Sequence, residues 1–112
     1  MKKIEATIRT SKFEEVQEAL HAIGVNFFTY WEVKGIGKEK TFETVYRGTH
    51  YDMGSISRRM IEIVVNDNMV DAVTEAILKS ARTGEIGDGK IFISNVEKAI
   101  RIRSGEAGEQ AI

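Results

Sequence analysis

The chain has 112 residues, with 16 basic and 17 acidic side chains and a net charge of −1. This length fits one domain, and the balanced charge excludes a global affinity for nucleic acid or an anionic membrane, so any basic site has to be local. The absence of cysteine excludes disulfides and thiolate metal sites, and two histidines are too few for a histidine-based metal site.

The N-terminal segment argues against export. Charged residues interrupt what would be the apolar core of a signal peptide, Met1-Lys-Lys-Ile-Glu-Ala-Thr-Ile-Arg9. No apolar run approaches the ~18 residues that a membrane-spanning helix needs. We therefore expect a soluble, cytoplasmic protein.

The first third of the chain predicts a strand, a helix and a second strand. Residues 4–8 alternate apolar and polar side chains, which is typical of a half-buried strand. Ser11 and Glu14 have the spacing of a capping box, and apolar residues then recur at helical spacing until Gly24. Residues 25–35 are rich in aromatic and β-branched side chains, which favours a long second strand.

A long stretch without periodicity follows the second strand. It lies between Gly35 and Ser57 and predicts a loop over about residues 37–56. Connections longer than about 12–15 residues are uncommon in compact domains and usually functional, which favours a binding role for this loop. The alternative is the tip of a β-hairpin without a function.

The second half repeats the order of the first. Residues 60–65 predict a third strand, and Asn66 or Asp67 would cap a helix with an apolar inner face. A fourth strand begins at Ile91, and the alternation of Ile and Arg over residues 100–103 predicts a short fifth one. The order β-α-β-loop-β-α-β is that of an α+β, ferredoxin-like domain, with two helices on one face of a four-stranded antiparallel sheet. Because the other face must be covered, we expect self-association through the sheet.

A glycine-rich segment, Thr83-Gly-Glu-Ile-Gly-Asp-Gly-Lys90, separates the second helix from the fourth strand. Its glycines can adopt positive φ and bring backbone N–H groups close to a phosphate, and Lys90 adds a positive charge. The spacing matches G-x-x-x-x-G-K, but Ile91 replaces the Mg²⁺-binding Ser or Thr, and the helix precedes the loop. We infer phosphate binding without a hydrolysis apparatus. The alternative is a glycine-rich turn closed by a solvated lysine.

Four stretches of the chain coincide with the motifs of one known family. They are Met1-Lys-Lys-Ile4, Glu32-Val-Lys-Gly-Ile-Gly37, Tyr46-Arg-Gly-Thr-His-Tyr51, and the glycine-rich segment leading to Ile100-Arg-Ile-Arg103. Through them the whole chain, residues 1–112, resembles the PII nitrogen-regulatory signal-transduction family. The resemblance implies a non-enzymatic homotrimer of ferredoxin-like protomers, in which ATP and ADP compete for clefts between subunits. It also implies that 2-oxoglutarate binds beside MgATP and that the long loop docks onto partner proteins.

The resemblance assigns particular residues to the nucleotide. Gly87, Asp88, Gly89 and Lys90 match the residues that hold the phosphates. Arg101 and Arg103 match a pair that reaches the phosphates from the neighbouring subunit, and alternate residues of a strand would project to one face. The alternative for these arginines is a solvated, charged edge. The residues that would surround the purine and the ribose are Thr29, Gly35, Gly37, Lys38, Glu62 and Val64.

The residues that the resemblance assigns to 2-oxoglutarate are Glu39, Lys40, Thr41 and Arg58. Glu39 replaces the usual glutamine that helps to hold Mg²⁺; a carboxylate can still bind Mg²⁺, but its charge repels the dicarboxylate effector. Arg58 replaces the usual lysine, and the neighbouring Arg59 is an alternative partner for the effector. Both departures bear on 2-oxoglutarate, so binding of ATP and ADP is the firmer expectation, although the charge of Glu39 also lies near the triphosphate.

Two residues of the long loop point to partners and modification. Arg47 resembles the arginine that some members insert into the pore of an ammonium transporter, and Tyr51 matches a tyrosine that is uridylylated in others. The expected partners are an ammonium transporter or nitrogen-assimilation regulatory proteins, with membrane contact only through the transporter and no direct contact with nucleic acid. Alternative functions are a PII-like sensor of another small ligand and a slow ATP-hydrolysing phosphate-loop protein.

Overall fold

The computed structural model describes residues 1–36 and 56–112. Its strands and helices follow in the order β1 (Lys2–Arg9), α1 (Phe13–Ala22), β2 (Thr29–Gly35), β3 (Ile56–Val65), α2 (Val70–Ala81) and β4 (Lys90–Asn95). The strands form one antiparallel sheet in the order β2-β3-β1-β4. The predicted α+β, ferredoxin-like order is therefore confirmed. No helix of the described ranges is long and apolar enough to cross a membrane.

The core lies between one face of the sheet and the two helices. Strands β1 and β3 contribute every second residue to it, because successive side chains of a strand point to opposite faces. The helices contribute residues three or four positions apart, as the predicted apolar stripes require. The buried residues are Ile4, Ala6, Ile8, Phe13, Val16, Leu20, Ile61, Ile63, Val65, Val73, Ile77 and Ala81.

The opposite face of the sheet is covered by neither helix. Its side chains form rows across the strands, because directly paired residues of antiparallel strands lie side by side. One row runs from Lys90 through Thr7 and Met60 to Trp31. Trp31 is 40% exposed and Phe92, in the next row, is 58% exposed. We call this surface the open face.

Both helices begin with a 3-10 turn, and the predicted side-chain caps are wrong. Ser11 lies inside the turn Thr10–Lys12, and no side chain caps α1. Asn66 precedes the turn Asp67–Met69, where its backbone carbonyl accepts the N–H of Met69, and neither side chain caps α2. The backbone of each turn has replaced the side-chain cap at the helix start.

Strands β2 and β3 depart most from their predicted bounds, each by four residues at its start. Strand β2 begins at Thr29 instead of residue 25, because the N–H of Val25 still donates to the carbonyl of Leu20 (3.0 Å) at the end of α1. Strand β3 begins at Ile56, which pairs with Gly35, four residues earlier than predicted. The predicted loop therefore loses its last residue, and residues 37–55 lie outside the described part of the chain.

The predicted fifth strand, within the tail of about residues 98–112, is wrong. Ile100 forms a single bridge with Ala107, and the chain turns back between them. Gly105 has a φ of +76° and donates its N–H to the carbonyl of Arg101 (2.7 Å), which closes the turn. A strand could not form because Gly105 turns the chain, and Ile102 is fully exposed.

Candidate functional site

The segment 83–89 connects α2 to β4 and is here called the glycine loop. Its three glycines adopt positive φ: +90° at Gly84, +103° at Gly87 and +100° at Gly89. Gly89 also passes so close to β1 that a Cβ there would lie 1.7 Å from the carbonyl oxygen of Thr7. Only glycine fits this position, because both the φ angle and the close approach exclude a side chain.

Asp88 organises the interior of the glycine loop. Its Oδ2 accepts the backbone N–H groups of Thr83 and Gly84, both at 2.9 Å. Its Oδ1 accepts the Thr83 hydroxyl and the Nε of Arg9, the latter at 3.0 Å. The backbone N–H of Glu85 donates to the Thr83 hydroxyl oxygen (3.1 Å). The carboxylate thus lies on donors of the protein itself, and its predicted contact with a nucleotide stays a prediction.

These donors also change the acidity of Asp88. The hydroxyl and the backbone N–H of Thr83 contribute most, followed by Arg9 and the N–H of Gly84. Together they hold the pKa of the Asp88 carboxyl well below its usual range, because hydrogen bonds to the ionised form favour it. Asp88 is therefore an anion at any physiological pH.

Arg9 connects the end of β1 to the glycine loop at two points. Besides its bond to Asp88, its Nη2 donates to the carbonyl of Ile86 (2.9 Å). The side chains of Arg9 and Asp88 are 26% and 23% exposed, so this ion pair is mostly covered. The sequence reasoning missed Arg9. The available signal was that Arg9 lies two residues after Thr7 in the same strand. Alternate residues of a strand share a face, so Arg9 lies on the open face, where β1 meets the glycine loop.

A cleft of about 250 Å³ lies where the glycine loop meets the open face. Two cationic side chains, Lys90 and Arg58, line it together with Gly87 and Gly89. The cleft is completed by Thr7, Gly35, Ile36, Ile56 and Phe92. Positive charges beside glycine backbone suit a phosphate or carboxylate. Arg58 also donates through Nη1 to the carbonyl of Ser57 (2.9 Å).

Arg59, the alternative to Arg58, lies on the other face of the sheet. Its guanidinium carbon is 4.6 Å from the ring centroid of Phe13 and 5.4 Å from that of Tyr30. Its Nη2 is 3.6 Å from the carboxylate of Glu32. Cation–π contacts and this ion pair hold Arg59 near α1. Arg58, and not Arg59, therefore belongs to the cleft.

The residues predicted to surround the purine lie elsewhere on the open face. Thr29 and Glu62 are directly paired, and Val64 follows one row further on. Strands lie about 4.8 Å apart and successive residues of a strand about 3.3 Å apart, which places these three residues roughly 12–16 Å from Lys90. None of the three lines the cleft of about 250 Å³ or the cavity of about 430 Å³ that Asp88, Gly89 and Lys90 also border. Of the predicted purine and ribose residues that the structure describes, only Gly35 lines this cleft.

The predicted arginine pair lies in the tail, which follows the far end of β4. Arg101 forms a 3.3 Å ion pair with Glu106 and donates to the carbonyl of Gln110 at 2.9 Å. Arg103 is exposed, and within residues 1–36 and 56–112 it has no hydrogen bond or ion pair. Because residues 102–104 form a turn, the predicted projection of both side chains from one strand face does not occur.

Seven predicted site residues lie in the segment that the structure does not describe. They are Gly37, Lys38, Glu39, Lys40, Thr41, Arg47 and Tyr51. Among the described residues, no group of three or more His, Asp or Glu side chains is arranged to hold a metal ion. The assignment of Mg²⁺ to Glu39 therefore stays a prediction.

Fold and site together define a class of protein. Its members are ferredoxin-like domains in which a glycine loop connects the second helix to the last strand. In this chain the carboxylate of Asp88 closes that loop, and two cationic side chains line the adjoining cleft. The sequence profile of the family described as "Nitrogen regulatory protein P-II" matches residues 1–106. The chain therefore belongs to the nitrogen regulatory protein P-II family.

Individual relatives agree with this assignment. A nitrogen regulatory protein P-II from Cereibacter sphaeroides is 53% identical over 112 residues, which cover all of both chains. The nitrogen regulatory protein P-II 2 of Methanothermobacter thermautotrophicus is 51% identical, covering all of this chain and 97% of the relative. The crystal structure of Arabidopsis thaliana PII bound to citrate superimposes with a TM-score of 0.81 at 38% identity, covering 99% of this chain and 91% of the other.

Proposed function

We propose that this protein is a signal transducer that binds ATP and ADP, in competition, in clefts between the protomers of a homotrimer. Mg²⁺ accompanies ATP, and 2-oxoglutarate is the candidate second effector, with an affinity that Glu39 and Arg58 should weaken. The bound ligands change the conformation of the long loop, which carries Arg47 and Tyr51. This conformational change alters the affinity of the loop for a partner protein. The partner is an ammonium transporter or another regulator of nitrogen assimilation.

The observation that carries this proposal is the cleft beside the glycine loop. Lys90 and Arg58 place two positive charges next to Gly87 and Gly89, where the chain has no side chain beyond Cα. Arginine can bind phosphate oxygens through its planar fork, and lysine acts as a point charge. The relative from Arabidopsis thaliana was solved bound to citrate, an anion, which supports an anion-binding role for this fold.

The open face supports sharing of the site between protomers. The cationic cleft lies at one end of the sheet, whereas Thr29, Glu62 and Val64 lie towards the other end. Phe92, which lines the cleft, and Trp31, two residues from Thr29, expose large apolar surfaces on this face, and such surfaces are typical of interfaces. A second copy would cover this surface and could bring its own Thr29 end to the Lys90 end of the first.

The same geometry favours a nucleotide that is sensed and not hydrolysed. Ile91, in the position of the P-loop Ser or Thr, packs against the hydrophobic core. Asp88, the carboxylate between Gly87 and Gly89, accepts four hydrogen bonds from the protein and is no free general base. Regulation then rests on a difference in ligand affinity between two conformations of the long loop.

Isothermal titration calorimetry with ATP and ADP tests the proposal. We expect Lys90→Gln to weaken both nucleotides by about tenfold or more, because it removes a charge from the phosphate cleft. Lys79→Gln is the matched control, since Lys79 is 77% exposed on α2 and, within residues 1–36 and 56–112, its ammonium group pairs with Glu75 alone, at 3.5 Å. Wild-type protein that binds neither nucleotide would contradict the proposal.

Two further measurements separate the alternatives. A thermal-shift screen of small metabolites that shows stabilisation by another ligand, and none by ATP or ADP, would favour a PII-like sensor of that ligand. Phosphate release at ordinary enzyme rates, on the order of 1 s⁻¹ or faster, would favour an ATPase. Titration of 2-oxoglutarate in the presence and absence of MgATP tests the second effector directly.

A further inference from the structure

The donors of the glycine loop fall into two groups. The backbone N–H groups of Thr83 and Gly84 point inward and are occupied by the Oδ2 of Asp88, at 2.9 Å each. On the other side, Gly87, Gly89 and Lys90 line the cleft beside the open face. The Asp88 carboxylate thus occupies the donors inside the loop. The surface formed by Gly87, Gly89 and Lys90 is separate from these donors and stays available for an external anion.

Arg9 fixes the loop relative to the sheet. Its guanidinium reaches Oδ1 of Asp88 at 3.0 Å and the carbonyl of Ile86 at 2.9 Å, on both sides of Gly87. A guanidinium can make both contacts at once because its donors form a rigid fork, whereas an ammonium group is a single centre. The loop is therefore held to the end of β1 by one side chain at two points.

Thr83 completes the arrangement. Its hydroxyl lies against Oδ1 of Asp88 and accepts the backbone N–H of Glu85 at 3.1 Å. Asp88 therefore connects Thr83 and Gly84, at the start of the loop, to Arg9 of β1. Gly89 lies against the carbonyl of Thr7, which fixes the other end of the loop.

We propose that Asp88 and Arg9 are positioning residues, which hold the glycine loop in its ligand-binding shape before any nucleotide arrives and do not themselves contact the phosphates. This inference rests on the proposed function, because the ligand that profits from the preformed loop is the nucleotide. Preorganisation of this kind strengthens binding, since the ordering of the loop is completed before the ligand binds. Asp88 is thereby reassigned from a nucleotide contact to a support of the loop.

The test uses conservative variants with matched controls from the same loop. Asp88→Asn keeps the size of the side chain but removes its charge and replaces one of the two acceptor oxygens with an NH₂ donor. The remaining oxygen can accept either the N–H groups of Thr83 and Gly84 or Arg9, but not both sets of donors. Its control is Glu85→Gln, the same chemical change at an exposed position. Arg9→Lys keeps the charge but loses the fork, and its control is Arg82→Lys at the start of the same connection.

Two readouts are needed, and the first does not involve a ligand. Amide hydrogen exchange at Thr83 and Gly84 in the ligand-free protein reports the two N–H groups that Asp88 accepts. Calorimetry with ADP then reports the affinity. We expect Asp88→Asn and Arg9→Lys to accelerate this exchange and to weaken ADP, each by about tenfold, since the lost bonds are charge-assisted. The controls should change both values by less than about twofold.

Lys90→Gln distinguishes positioning from direct contact, because it should weaken ADP and leave the exchange at Thr83 and Gly84 unchanged. If Asp88→Asn behaves in the same way, Asp88 contacts the nucleotide and the inference is overturned. Faster exchange with unchanged ADP affinity also overturns it, because the loop shape would then be irrelevant to binding. Should Asp88→Asn fail to fold, Arg9→Lys decides the question by the same pair of readouts.

The failure of the proposed function is visible separately. Wild-type protein that binds no ADP overturns the nucleotide assignment, whatever the variants do. In that case, unchanged amide exchange at Thr83 and Gly84 in Asp88→Asn and Arg9→Lys would also show that Asp88 and Arg9 do not hold the loop in shape. Accelerated exchange would confirm that support while removing its link to a nucleotide, and so would overturn the inference as stated.

Discussion

The glycine loop and the C-terminal tail are both expected to bind the same phosphates, but the structure builds them differently. The loop is held within its own protomer by Asp88 and Arg9, through a mostly covered ion pair. The tail folds back on itself through the bridge of Ile100 with Ala107 and the contacts of Arg101 with Glu106 and Gln110, and Ile102 is fully exposed. The loop is thus complete in one chain, whereas the tail presents surface that a second chain can cover.

This difference divides the proposed site into two halves with separate requirements. Substitutions in the glycine loop should change the protomer itself, because the loop contacts β1. Substitutions in the tail should leave the protomer intact and change only what the oligomer binds. Each of the following predictions tests one side of this division.

The largest effect is expected at Gly89. Gly89→Ala places a Cβ 1.7 Å from the carbonyl oxygen of Thr7, at a φ of +100°. The backbone of the loop or of β1 must shift, and we expect a loss of roughly 3 kcal/mol or more in the free energy of unfolding. Urea denaturation measures this loss.

Gly84→Ala is the control for Gly89→Ala. Gly84 has a similar φ of +90°, but a Cβ there would meet no atom within 4 Å. Only the cost of placing an alanine at positive φ remains, and we expect a loss of roughly 1–2 kcal/mol in the free energy of unfolding. Equal losses in the two variants would show that the approach of Gly89 to β1 is unimportant.

A smaller and purely functional effect is expected in the tail. Arg103→Gln removes an exposed charge that has no hydrogen bond or ion pair within the described ranges, so the melting temperature should not change. If Arg103 reaches the phosphates of a neighbouring protomer, ATP affinity should fall by about tenfold. Calorimetry and a thermal melt of the same sample check both statements. A lower melting temperature with unchanged affinity would place Arg103 in a structural role.

The smallest effect is a change in pH dependence. The folded pKa of Asp88 is lowered by Thr83, Arg9 and Gly84, so its contribution to stability is present above the unfolded value of about 3.9 and is lost as the pH falls towards the folded pKa. Wild-type stability should therefore fall more steeply below about pH 4 than that of Asp88→Asn. Melts at pH 3 to 7 check this; parallel curves would show that Asp88 does not contribute.

The sequence predicted the parts of the fold that burial dictates. The alternation of Ile4, Ala6 and Ile8 and the spacing of Val73 and Ile77 are imposed by a core, so the patterns reveal strand and helix without further information. Gly24 predicted the end of α1 for a local reason, since its φ of +91° suits only glycine well.

Other features depend on backbone choices that side chains do not reveal. Ser11 and Asn66 are good capping residues, but a 3-10 turn precedes each helix and removes the need for a side-chain cap. The alternation of Ile and Arg after Ile100 is typical of a strand, but Gly105 turns the chain before a strand can pair. The residue pattern alone does not distinguish a side-chain cap from a 3-10 turn, or a strand from a turn, because contacts with the rest of the chain decide between them.

The candidate site was predictable where glycine and charge occur together. Gly87, Gly89 and Lys90 do lie at a common cleft, as their spacing suggested, and Arg58 joins them. The inward direction of Asp88 was not predictable, because its donors come from Thr83 and from Arg9, which is 79 residues away. Such a long-range contact becomes visible only when the register of β1 against β4 is known.

The central claim is that one nucleotide site needs two protomers, and subunit mixing tests it most directly. Lys90→Gln and Arg103→Gln proteins would be mixed in equal amounts, unfolded and refolded together, and titrated with ATP. In randomly assembled oligomers about one site in four would combine an intact Lys90 with an intact Arg103 from the neighbour. We predict that wild-type affinity returns at about this fraction of sites, whereas neither variant alone shows it. Mixed oligomers without any site of wild-type affinity would contradict the shared site.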